Sequence, residues 1–267
     1  MDATNGRKRA AGARRIALAL QYDGTRFNGW QVQETGRTVQ GELESALRVL
    51  IREEVRVAAS GRTDTGVHAL GQVAHFDCES GIALQRLCMG LNGILEKDVS
   101  VINAYEAPKD FHARFSALRR EYVYLIYNNK QRSPFARDRA MWLTERLDLE
   151  YLRVAASHLI GENDFASFCK RASSYAHTVR RIDEIEISRQ GDIITLRILG
   201  NAFLHNMIRI IVGTLLEMHR YGKDPSHMAT VLEQKDRIYS GPTIPPWGLY
   251  LKRIFYDPPL DTMEKAF

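Results

Sequence analysis

Apolar residues in 38–52 fall at Val39, Leu43, Ala46, Leu47, Leu50 and Ile51, a three- and four-residue rhythm that predicts a helix with one buried face. Ahead of it RIALALQY (15–22), closed by the turn signal Asp23-Gly24, predicts a strand. VRVAA (55–59), GQVAHFD (71–77) and VSVINAY (99–105) predict three more, and Leu84, Leu87, Cys88, Leu91 and Leu95 mark a second helix. The first hundred residues thus order as β-α-β-β-α-β, the split arrangement of ferredoxin-like domains.

The second half repeats that order without any residue-level repeat. REYVYLIY (120–127) predicts a strand, and Asp148 caps a helix that runs through Leu152, Ala155, Ala156 and Leu159 and stops at Gly161. RIDEIEIS (181–188) and DIITLRIL (192–199) form a hairpin around Gln190-Gly191. A helix follows at about 202–220, another opens at Asp224-Pro225, and GLYLKRIFY (248–256) closes the set. The expectation is an α+β fold of two ferredoxin-like, RRM-like (βαββαβ) halves, with mainly antiparallel sheets joined around a central cleft. The expected divisions are a basic disordered arm at 1–14, an N-terminal domain at 15–110, a C-terminal domain at 111–257 and a loose tail at 258–267.

One residue breaks its pattern. NAFLHNMIRIIVGTLLEM is apolar nearly all round, as in a buried helix, yet Arg209 sits between Met207-Ile208 and Ile210-Ile211. A buried guanidinium needs a carboxylate or a charged ligand. The alternative is that Arg209 lies along a narrow exposed stripe with His205 and pairs with a surface acid.

Composition changes the picture modestly. The 267 residues are 45% apolar and 26% charged, as in an ordinary globular protein. No apolar run approaches the roughly 18 residues of a membrane span, and Met1 to Arg15 hold no secretory stretch. Cys78, Cys88 and Cys169, at unrelated spacings, fit a reducing cytoplasm better than a disulfide framework or a structural zinc site. The net charge is +5, but residues 1–15 hold Arg7, Lys8, Arg9, Arg14 and Arg15 against Asp2 alone, so the remainder is near neutral. Residues 111–140 are locally basic: Arg114, Arg119, Arg120, Lys130, Arg132, Arg137 and Arg139 face only Glu121 and Asp138, with Phe111, Tyr122, Tyr124, Tyr127 and Phe135 interleaved. That mixture suits phosphate contacts with base stacking, and equally a solvated strand face with packing tyrosines.

The stretch SGRTDTGVHALGQVAHF (60–76) sets Arg62 and Asp64 in a loop between Gly61 and Gly66. Asp64-Thr65-Gly66 spells the D-T-G of aspartic proteases, but that chemistry needs two carboxylates and no second such triplet exists in the chain. Asp64, His68, His75 and Asp77 compose a conceivable metal set at spacings that match no recognised pattern. A turn stabilised by Asx hydrogen bonds is the plainest reading, and it leaves Arg62 unexplained.

GRTDTGVHALGQVAHF closely resembles the G-R-T-D-A-G-V-H-A segment of tRNA pseudouridine synthases of the TruA type. So do IALALQYDGTRFNGWQVQ, DFHARFSALRREYVY, GENDFASF, NAFLHNMIRIIVG and GLYL, in order over about residues 16–256. Thr65 stands where alanine is usual, and Glu121 where a basic residue is common, which weakens the positive field there. The resemblance implies a cytoplasmic, homodimeric enzyme that binds tRNA. It would convert uridines at positions 38–40 of the anticodon stem-loop to pseudouridine, with no cofactor and no metal. It implies Asp64 as the catalytic carboxylate, Arg209 as its arginine partner and Tyr122 as the active-site tyrosine. Arg62 would help extrude the target base. Phe111, His112, Arg114, Phe115, Lys130, Ser173, Ser174 and Tyr175 would hold tRNA, and Leu249 would wall the pocket. A noncatalytic tRNA-binding protein on the same fold shares the basic surface but gives no reason for the Arg-Asp loop.

Overall fold

The computed structural model describes residues 12–170 and 176–267. In chain order its elements are β1 (Arg14–Tyr22), α1 (Val39–Ile51), β2 (Ala58–Ala59), β3 (His68–Cys78), α2 (Leu84–Ile94), β4 (Val99–Ala107), β5 (Arg119–Asn128) and β6 (Met141–Leu143). They continue with α3 (Leu149–Ser157), β7 (Gly161–Asp164), β8 (Val179–Gln190), β9 (Ile193–Gly200), α4 (Met207–Arg220), α5 (His227–Gln234) and β10 (Leu249–Phe255). Two of the helices, α1 and α3, begin where polar side chains satisfy their first amides: Thr38 Oγ1 accepts from the Gly41 amide, and the Asp148 carboxylate accepts from those of Glu150 and Tyr151, whereas α2, α4 and α5 start without a side-chain cap. Their apolar stripes then bury Leu43, Leu47, Leu87, Leu91, Leu152 and Ala155 against the sheet.

The ten strands form one mixed, mostly antiparallel sheet, ordered β4-β1-β3-β10-β5-β9-β8-β7, with β2 on β3 and β6 on β5. The last strand in sequence, β10, lies in the middle, antiparallel to β5 and parallel to β3. Its join to β3 is short, Tyr250 opposite His68 and Leu251 opposite Ala69. His68 follows Asp64 by four positions, so the loop of interest opens where β3 meets the last strand. No helix among the described residues is long and apolar enough to cross a membrane.

Several expectations shift. The strand expected at 55–59 shrinks to Ala58–Ala59 because α1 takes the backbone of Val57: its amide donates to Glu44 Oε1 (2.9 Å) and its carbonyl accepts from Gln40 Nε2 (3.2 Å). The helix expected from about 202 begins at Met207, since Asn206 stands in the left-handed region at φ 61°. Arg14, assigned to the arm, opens β1 and pairs with Glu106; residues 1–11 lie outside the described residues. The tail is not loose. Lys265 bridges Tyr105, the Glu106 amide donates to Glu264 O (2.9 Å), and the Ala266 amide donates to Ala104 O (3.0 Å). Residues 264–266 thereby cover the exposed edge of β4.

Candidate active site

Asp64 lies between β2 and β3, in a loop whose main chain is held from several sides. Thr63 O accepts from the Trp30 amide (3.0 Å), and the Thr63 and Tyr22 hydroxyls share a hydrogen bond (2.8 Å). Gln72 Nε2 donates to Gly61 O (2.8 Å). The Val67 amide donates to Asp64 O (3.1 Å), closing a turn in which Gly66 has φ +77°. Gly29, at φ +86°, lets the neighbouring chain press in, for a β-carbon there would stand 2.6 Å from Thr63 O. The Asp64 backbone thus builds the turn, while its carboxylate points elsewhere.

That carboxylate meets the start of α4. Asp64 Oδ2 is 3.7 Å from Arg209 Nη1, and Oδ1 is 3.4 Å from His205 Nε2. Both distances exceed those of a charge-assisted hydrogen bond, so the guanidinium and the imidazole orient the acid without saturating it. Arg209 is itself fixed: Nε donates to Ile244 O (2.7 Å) and Nη1 to Asn206 Oδ1 (2.8 Å). Burial lowers its hold on its proton and Asp64 opposes that; an arginine so placed remains a cation. Arg209, half-buried, faces the Asp64 carboxylate, and His205 shares its side.

Tyr122 projects from β5 into the same region. It is buried, with its ring edge-on to Phe203 at 5.2 Å and its hydroxyl beside Gly61. Burial first, then Tyr22, push its phenol above the usual value; Arg120 opposes and Asp64 adds a smaller push. The hydroxyl therefore keeps its proton at neutral pH and can donate a hydrogen bond. Arg62, two positions before Asp64, is exposed.

The other expected residues divide. Phe111 is packed between His75 and Tyr256, at ring separations of 6.1 and 5.2 Å, and its ring is committed to the core. His112 Nδ1 accepts from the amides of Arg114 (3.1 Å) and Phe115 (3.3 Å), shaping a turn that leaves Arg114 and the 73%-exposed Phe115 outside. Buried Arg120 ties this turn to the loop: Nη2 donates to Arg114 O (2.7 Å) and Ser60 O (3.2 Å), and Nη1 to Asn201 O (2.6 Å). Leu249 is buried opposite Tyr124. Lys130 is exposed beyond the end of β5, and the strand from Tyr122 to Asn128 alone spans about 20 Å. Ser173, Ser174 and Tyr175 lie outside the described residues.

His68, His75 and Asp77 have structural partners. His68 Nδ1 accepts from the Gly24 amide (3.1 Å) and the ring stacks on Tyr250. His75 Nδ1 accepts from the Ala113 amide (3.2 Å), and Asp77 pairs with Arg15 (2.7 Å). Among the described residues no group of three or more His, Cys, Asp or Glu is placed to hold a metal. Glu121 is neutralised by Arg197 and Lys252, each at 3.0 Å, so it costs the site little of its field. His205 is the neighbour of Asp64 that sequence reasoning left aside; its four-residue spacing from Arg209 was the available signal.

The pattern of the family described as tRNA pseudouridine synthase matches residues 18–116 and 155–257. The tRNA pseudouridine synthase A of Caldicellulosiruptor bescii is 42% identical over 243 residues, 91% of this chain and 100% of the relative. That of Bacillus subtilis is 44% identical over 245 residues, 91% of this chain and 99% of the relative. A solved Cbf5-Nop10-Gar1 complex is a remote likeness, 14% identical with a TM-score of 0.39, over 88% of this chain and 48% of that one. The chain belongs to the tRNA pseudouridine synthase family.

Proposed function

We propose that this enzyme isomerises uridine to pseudouridine at positions 38, 39 and 40 of the tRNA anticodon stem-loop, with Asp64 as its catalytic carboxylate. The reaction breaks the N1–C1′ bond, turns the uracil and joins C5 to C1′. C5 loses a proton and N1 gains one, so nothing is consumed. Asp64 acts as nucleophile or base, the two roles open to an ionised carboxylate at a cleft. Arg209 and His205 hold its plane. Tyr122 packs on the base, and its protonated hydroxyl supplies a donor to the rearranging ring. Arg62 fills the gap left by the extruded base, offsetting part of the few kcal/mol lost in unstacking.

Leu249 walls the pocket. Phe115 and Arg114 meet tRNA at the rim, with Phe111 and His112 shaping their turn, while Lys130 and residues 173–175 meet it further out. Two copies acting together in the cytoplasm would extend the basic surface. We read the sheet as two ferredoxin-like halves, one ordered β4-β1-β3-β2 and the other β10-β5-β9-β8; the matching order supports this.

The observation that carries the reading is the apposition of Asp64, from the first half, with Arg209, from a helix some 145 positions on. Asp64→Asn is expected to cut pseudouridine formation by at least about 10³-fold, within the general acid–base range. Its tRNA affinity should stay within several-fold and its circular dichroism should not change. Retained turnover, or loss of folding in place of loss of chemistry, rejects the assignment.

A further inference from the structure

Beside the Asp64 loop, the turn Gly24–Arg26 and the loop 134–139 enclose an open groove of about 360 Å³. Thr25, Arg26, Phe135, Arg137, Asp138 and Arg139 line it. Phe135 is 92% exposed, so its ring contributes almost nothing to the core. An aromatic left in water and flanked by guanidiniums is the arrangement that stacks a base and meets its phosphate.

The groove has a hydrogen-bonded floor and exposed rims. Arg139 donates to Asp23 Oδ2 (2.6 Å), and its carbonyl accepts from the Tyr250 hydroxyl (2.7 Å). Arg26 and Arg137 stand above, with side chains 68% and 81% exposed and paired to Asp98 (2.8 Å) and Asp138 (3.2 Å). Ion pairs made by arginines so exposed are weak and are readily exchanged for a phosphate.

Its position is also defined. A β-carbon on Gly24 would stand 2.0 Å from Val67 O, so this turn lies directly on the Asp64 loop. Val67 is three residues from Asp64, at most about 11 Å of chain. A stacked strand advances about 3.4 Å per nucleotide, which puts the groove a few nucleotides from a base at Asp64.

We propose that this groove is a second RNA subsite, in which an unpaired nucleotide near the target stacks its base on Phe135 and presents its phosphate to Arg26 and Arg137. The proposal rests on the tRNA reading above and adds a specific contact to it. It also gives Phe135 a role that packing does not.

The test compares Phe135→Ala, Phe135→Tyr, Arg137→Ala and, as a charge control on the exposed side of α2, Arg86→Ala. Each is titrated with unmodified tRNA at several salt concentrations and assayed for pseudouridine. Phe135→Ala is expected to weaken binding about tenfold, within the range for one stacked base, and Phe135→Tyr to restore it. Arg137→Ala should flatten the plot of log affinity against log salt by about 0.7, the increment for one single-strand phosphate, and Arg86→Ala should not. Turnover at saturating tRNA should match wild type in all four. Wild-type binding by Phe135→Ala, or equal slopes for Arg137→Ala and Arg86→Ala, overturns the subsite. A wild-type protein that binds tRNA without modifying it would overturn the catalytic reading, and the titrations would still decide the groove.

Discussion

The Asp64 loop and the segment from 111 to 140 both set charged side chains among aromatic or turn-forming residues, and the fold uses them in opposite ways. In the loop the surroundings do the holding, through Trp30, Gln72 and Tyr22, and the Asp64 carboxylate is turned to Arg209 and His205. In the segment the side chains do much of the holding. Arg120 reaches the carbonyls of Ala117, Asn201, Ser60 and Arg114, and Asn128 Nδ2 donates to Leu143 O and Glu145 O. A count of cations therefore overstates the phosphate-facing charge of 111–140, while the Asp64 carboxylate is not spent on holding its own loop. Polar groups that satisfy buried carbonyls are engaged in the fold and cannot serve a ligand as well.

The comparison breaks most sharply at Arg209. If the loop depends on a partner to aim its carboxylate, Arg209→Leu should lower turnover by about 10³-fold, the scale for losing a well-placed charged group near a reacting centre. Leucine leaves Ile244 O and Asn206 Oδ1 without their donor, so stability should fall by about 1–3 kcal/mol, and turnover is compared per folded enzyme. Arg119→Ala, by contrast, removes an exposed guanidinium lying 5.2 Å over Phe255 and should leave turnover close to wild type. Equal turnover in the two variants would mean that Asp64 needs no such partner.

Arg120→Ala sharpens the other side. The side chain is buried and serves several carbonyls, so its loss should cost about 3 kcal/mol of stability, measured by denaturant unfolding. Arg119→Ala should cost under about 0.5 kcal/mol, as exposed substitutions do. Similar losses at both positions would show that the division between structural and presented charge is misplaced.

Much of this was legible in the sequence, for physical reasons that also mark where legibility stopped. α1 and α2 carry apolar stripes and were placed within a residue or so at each end. β6 and β7, with three and four residues and no alternation, carry no such signal. An arginine inside an apolar helix is a visible anomaly, so the pairing of Arg209 with an acid could be anticipated. His205 offered a four-residue spacing from Arg209 on the expected helix, although it lies before the left-handed turn at Asn206 where the helix begins. Arg119 and Arg120 must face opposite sides of β5, since side chains alternate along a strand. Which side is closed depends on the turn at 112–116 and on Asn201, residues that no local pattern connects.

The smallest expected effect is at Lys130, exposed and beyond the end of β5. At that distance from Tyr122 it cannot touch the base being isomerised, so any contribution must come through the tRNA backbone. A lysine meeting a phosphate acts as a point charge, adding affinity without regard to sequence. Lys130→Ala should therefore raise KM two- to threefold, about 0.5 kcal/mol, leaving kcat unchanged. The salt dependence distinguishes what it meets: the slope of log affinity against log salt should fall by about 0.9 for a duplex phosphate and about 0.7 for a single strand. No change in slope would place Lys130 with Arg120, among the cations that the fold keeps for itself.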